Sequence, residues 1–115
     1  QNGLLGILEL PAKKSGKVQP KQKVQILLDG YPHMEFGKLN AEIKKISSTP
    51  DINNQYLVEI MIADTLLTNY GIQIPFKEKM TGEAEIITEN VNVIERIFSP
   101  LRSIIKNNIS YRNSY

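Results

Sequence analysis

His33 is the only histidine in the chain, so a nucleophile–base pair built on imidazole would have to use it. It stands in a turn between Pro32 and Met34, with no serine or carboxylate at a spacing that suits a proton relay. We read it as a surface or packing histidine. Glu83 and Glu85 lie two residues apart on one face of an extended stretch. Such a pair does acid–base work only where burial drives the two carboxyls to different pKa values. The pattern here fits a solvated strand face better. The chain has no cysteine, which removes disulfide frameworks and thiolate metal sites. Neither a phosphate-cradling glycine loop nor a G-x-S-x-G elbow is present, and the glycines are scattered singly. We therefore expect no enzyme, no metal and no cofactor.

The elements that would position any side chain start with Lys21 to Ser47, two strands joined by a turn. Val24, Ile26 and Leu28 alternate with polar neighbours, and Leu27 alone interrupts the polar side. Asp29-Gly30-Tyr31-Pro32 is a breaker cluster. The second strand places Leu39, Ala41 and Ile43 on one side. Ile46 falls out of step, and one inserted residue, a β-bulge, would return it to the core. A long, bent hairpin of this kind builds small barrels.

Before it, Leu4 to Leu10 reads as a strand with Gly6 at a bend, and Pro11 to Pro20 as a loop. Lys13, Lys14, Lys17, Lys21 and Lys23 form the local positive cluster. It reads first as a solvated loop that keeps an edge strand soluble. The sharper alternative is contact with an acidic lipid surface or nucleic acid. After the hairpin, Ser48 to Asn54 is a polar loop. Tyr56, Val58, Ile60 and Ile62 share one face of the next strand; Leu57 and Met61 make its other face apolar too, so coverage on both sides is expected. Asp64 to Lys79 is irregular, with a turn at Asn69-Tyr70-Gly71 and Pro75 barring a central strand. From Gly82 to Thr88, Ala84 and Ile86 point inward.

Near Asn92 the period changes. Ile94, Ile97, Phe98, Leu101, Ile104 and Ile105 recur at helical spacing. Asn92 and Glu95 resemble a capping box, and Pro100 should kink the helix. We expect this stripe to cover the barrel's own mouth. The expected architecture is mainly β: a small closed or partly open antiparallel barrel of five to six strands with a short C-terminal helix. Its bounds are a barrel over 1–90, a helical segment over 91–106 and a frayed polar tail over 107–115.

Size and charge narrow the partners. With 115 residues the chain forms one domain at most. A net charge of +2 is too near balance to argue for nucleic acid. Absence of cysteine suits an oxidising compartment. The longest apolar run, Leu4 to Leu8, is far short of the ~20 residues a bilayer span needs. The chain opens on Gln1, and we read it as a piece of a longer protein. Tyr31, Phe36, Tyr56, Tyr70 and Phe76 are spread out and none interleaves with a basic run on a strand, so an OB-like nucleic-acid-binding module is the alternative rather than the leading reading.

Four stretches together resemble the C-terminal barrel portion of HlyD-type membrane fusion proteins, the bacterial periplasmic adaptors. Lys21-Gln22-Lys23-Val24-Gln25-Ile26 is similar to the family's G-Q-x-V-x-I start. Gly30-Tyr31-Pro32 followed by Phe36-Gly37 is similar to its Y-P and F/Y-G turn. Ala41 to Ser47 matches a G-x-V-x-x-I-S-like strand, and Lys79 to Ile86 a G-M-x-G-x-A-x-I element. The order and separations make the set more specific than any one motif, and the similarity runs from Leu4 to Leu101. Lys21, Ala41 and Lys79 stand where the family often has glycine, so backbone detail is expected to differ there.

The resemblance implies a non-enzymatic module of a periplasmic adaptor whose full-length parent is anchored in the inner membrane by an N-terminal helix. It implies three kinds of partner: an inner-membrane transporter of ABC type, neighbouring adaptor subunits, and an outer-membrane channel reached through other domains. It implies export of proteins or peptides, bacteriocins among them. Candidate contact or motif positions are Lys13, Lys14, Lys17, Gly30, Tyr31, Pro32, Phe36, Gly37, Tyr70, Met80 and Gly82, in the basic loop, the Gly30–Gly37 turn and the region Thr68 to Met80.

Overall fold

Alternating apolar side chains make strands of most of this chain, and the strands close on themselves. The computed structural model describes residues 3–107. Its elements are β1 (Gly3–Pro11), a 3-10 turn (Ala12–Lys14), β2 (Lys23–Leu28), the four-residue helix α1 (His33–Phe36), β3 (Leu39–Ile46), β4 (Gln55–Ile62), β5 (Leu66–Leu67), β6 (Gln73–Ile74), β7 (Gly82–Asn90) and β8 (Val93–Asn107). Six strands form a closed barrel in the order β1-β4-β3-β2-β7-β8, and β8 returns to β1. Every pairing is antiparallel. Closure leaves the barrel no free edge along its paired length.

The interior is filled by Leu8, Leu10, Val24, Ile26, Leu39, Ile43, Val58, Ile60, Ala84, Ile86, Leu101 and Ile104, all buried. One end is capped by Leu66, Ile74 and Met80, with Tyr31 and Phe76 packed beside them. Val18 in the loop after β1 joins the same core. A buried polar residue, Ser99, points inward among these side chains and donates its hydroxyl to the Glu9 carbonyl at 2.7 Å. Pro100 next to it has no N–H to offer β1, and the Ser99 hydroxyl supplies a donor there instead.

The bulge expected in the Ala41–Ile46 strand is present: the β3–β4 register slips between Ile43 and Lys45, and Ile46 packs against the core. Tyr56, Val58, Ile60 and Ile62 face inward as read. The other face of β4 is not covered, because Leu57 and Met61 are exposed. Strand β4 is central in hydrogen bonding, but a single-walled barrel has solvent on its outside.

The C-terminal helix expected over 91–106 is not there. Val93–Asn107 is one long strand, β8. Its first part, Val93 to Leu101, pairs with β7; its last part, Leu101 to Asn107, pairs with β1. Between the two, Ile7 faces Ser103 while Leu8 faces Leu101, so Arg102 is an extra residue, a bulge. Inward positions run Ile97, Ser99, Leu101 and then Ile104. That odd step of three, added to exposed Ile94, Phe98 and Ile105 on the outside, imitates helical spacing. The Asn92–Glu95 pair caps nothing: Asn92 sits in a two-residue hairpin loop, since Asn90 faces Val93. Asn107 pairs with Gly3, and the remainder of the polar tail expected over 107–115 lies outside the described residues.

Candidate contact surface

The candidate positions separate into two groups on the barrel. The larger group gathers where β2 ends and β7 begins. Gly30 carries a positive φ of 87°. Tyr31 meets Phe36 edge to face, with ring centroids 5.2 Å apart. Pro32 precedes the first turn of α1, and its carbonyl accepts the Phe36 N–H at 2.9 Å. Gly37 closes the turn at φ 94°, and a side chain there would collide with Asn69, Tyr70 and Thr68. Tyr70 is exposed beside it.

Thr68 holds this turn against the 64–80 segment. Its hydroxyl donates to the Phe36 carbonyl at 2.6 Å and accepts the N–H groups of Tyr70 and Ile72. Asn69 and Lys38 exchange two further bonds, the Lys38 N–H to the Asn69 side chain and the Asn69 N–H to the Lys38 carbonyl. Met80 is buried, and Thr81 ties it to the turn after β2: its hydroxyl donates to Asp29 at 2.6 Å, and its carbonyl accepts the Asp29 N–H. Gly82 opens β7 directly against Leu28.

The second group is Lys13, Lys14 and Lys17, all exposed on and after the 3-10 turn. With Arg96 and Ile97 of β8 they line a cleft of about 470 Å³. Lys17 Nζ lies 2.8 Å from Glu95. Lys21 and Lys23, the rest of the basic cluster, line a different groove on the outside of β2 and β3.

His33 begins α1 and is half-buried. The glutamate pair is not a uniformly solvated face. Glu83 is exposed, but Glu85 is buried, because Lys38 reaches over it with Nζ at 3.1 Å and Arg96 approaches at 3.9 Å. The positive charges of Lys38 and Arg96 compensate its burial. Sequence reading missed Lys38, Glu85, Arg96 and Thr68 as structural anchors. The contacts that tie them across the fold, Lys38 to Glu85 and Thr68 to Phe36, join residues 47 and 32 positions apart, so no local pattern signalled them. Among the described residues no group of three or more His, Asp or Glu is placed to hold a metal ion, and no helix is long and apolar enough to cross a membrane.

Compared with family models, curated proteins and solved structures, the chain finds no match in any of the three.

Proposed function

We propose that this chain is the barrel module of a HlyD-type periplasmic adaptor, a non-enzymatic assembly part that helps join an inner-membrane ABC-type transporter to an outer-membrane channel for protein or peptide export. The observation that carries the reading concerns two lysines. Lys21 and Lys79 stand where the family's motifs have glycine, and both adopt positive φ, 78° and 64°. Side chains rarely take that region, and glycine takes it freely. The backbone thus keeps the conformation that the family's residue type favours, even where the residue has changed. The third departure, Ala41, lies within the β3 ladder at ordinary strand geometry.

The four motif stretches also come together. Strands β7, β2 and β3 are neighbours, and the Gly30–Gly37 turn sits at their common end. Most of their apolar side chains fill the barrel, and exposed Tyr70 beside the turn leaves a surface that suits docking to other polypeptides.

The test is site-specific photo-cross-linking in cells that make the protein, with the cross-linker at Tyr70. Adducts with a second copy of the chain and with an ABC-type membrane transporter are expected. Absence of both would remove the reading. Fluorescence anisotropy with labelled single-stranded DNA supplies the counter-probe: tight, steeply salt-dependent binding would assign an OB-like module instead.

A further inference from the structure

Strands β7 and β8 run past the barrel. Strand β2 pairs with β7 only from Gly82 to Ile86, and β1 pairs with β8 only from Leu101 onward. Between those limits Ile87 to Asn90 and Val93 to Arg96 pair with each other alone. They form a two-stranded ribbon whose base is held by the loop after β1, with Thr88 buried and Glu95 on Lys17, and whose end extends past the rim. Its free end exposes three aliphatic side chains, Val91 at 95%, Ile94 at 63% and Val93 at 57%, beside polar Glu89, Asn90 and Asn92. No other part of the described chain covers them.

At the ribbon's base the chemistry changes sign. Lys13, Lys14, Lys17 and Arg96 line the cleft between the 3-10 turn and β8. The carboxylates nearby are Glu95, already paired with Lys17, Glu85, which lies 3.9 Å from Arg96, and exposed Glu89 opposite Ile94. Lys17 and Arg96 thus face carboxylates already, while exposed Lys13 and Lys14 are in no ion pair among the described residues.

We propose that this ribbon is a wedge for the interface of an anionic lipid bilayer. Val91, Val93 and Ile94 enter the boundary between headgroups and acyl chains, while Lys13 and Lys14 sit among the lipid phosphates. Three features favour lipid over other occupants. A stable protein interface buries about 800 Å² on each partner, far more than three side chains on a ribbon two strands wide can offer. Interfacial binding to lipid needs only a small apolar insertion reinforced by basic residues. Single-stranded nucleic acid is held by aromatic stacking, and the tip has no aromatic side chain. The ribbon would act this way whatever the barrel is joined to, so the adaptor reading stands or falls separately.

Vesicle flotation tests this with the intact chain, using phosphatidylcholine vesicles with and without phosphatidylglycerol. The protein is expected to float with the anionic vesicles and not with the neutral ones. Two double variants, Val91→Ser with Ile94→Ser and Lys13→Glu with Lys14→Glu, are each expected to lower partitioning about tenfold or more. All the substituted side chains are exposed, and circular dichroism melting checks that each variant remains folded. The proposal is overturned if the folded parent fails to bind anionic vesicles, binds neutral ones equally well, or keeps its affinity in the tip variant. A photo-cross-linker at Val93 that traps a second copy or one discrete protein, with no vesicle binding, would assign the tip to a protein interface and overturn it as well.

Discussion

Gly82 shows how one residue fixes the seam between two strands. A Cβ there would collide with the Leu27 carbonyl oxygen and the Leu28 Cα, both backbone atoms that cannot rotate away. Gly82→Ala should therefore force β7 off β2 and destabilise the fold by about 1–3 kcal/mol, measured as a lower midpoint in urea unfolding. Lys79, three residues earlier, presents the opposite case. Its backbone is left-handed at φ 64°, a conformation that costs a residue with a side chain about 1–2 kcal/mol. Lys79→Gly should raise stability by about 0.5–1 kcal/mol, since glycine gives back part of the gain through its freer unfolded chain. A loss of stability there would mean that the lysine side chain makes a compensating contact.

At the scale of elements, two bulges decide how the barrel bends. The one in β3 was legible in the sequence, because Ile46 breaks an otherwise regular alternation and wants to be inside. The one in β8 was not. Arg102 is an inserted residue between two inward positions, Leu101 and Ile104, and a strand with a bulge prints the same i, i+3 spacing as a helix. Deleting Arg102 separates the two descriptions. In a strand the deletion leaves Leu101 and Ile104 two residues apart and both still inward, whereas in a helix it would turn Ile104 out of the apolar stripe. The loss read by thermal melting should therefore stay well below the about 2–5 kcal/mol that losing a large core side chain would cost; a loss of that size would mean that Ile104 had left the core. The β5–β6 hairpin and the Gly30–Gly37 turn show a further limit of local reading. Each was visible as a breaker cluster, but Thr68 joins them through the Phe36 carbonyl, a contact between segments far apart in the chain.

For the whole molecule, β8 matters most. It contacts β7 through its first part and β1 through its last, so one strand supplies both the final seam and part of the core. A chain stopped after Asn92 would leave β1 and β7 as open edges and lose Leu101 and Ile104. We expect it to show no cooperative unfolding transition and to aggregate, as seen by circular dichroism and size-exclusion chromatography. A cooperative melt from that fragment would mean that the remaining five strands close without their partner.

The order of apolar and polar residues along this chain was enough to determine a mainly β domain, the inward faces of β2, β3, β4 and β7, and the turns between them. A period of two follows from the pleat itself and needs no partner to be read. Tertiary structure alone decided that residues 93–107 are strand, that Glu85 is buried beneath Lys38, and that the end of the β7–β8 ribbon extends past the rim. Each of these depends on what lies opposite in space. Pairing across the barrel joins residues from the two ends of the chain, and the local pattern carries no record of that distance.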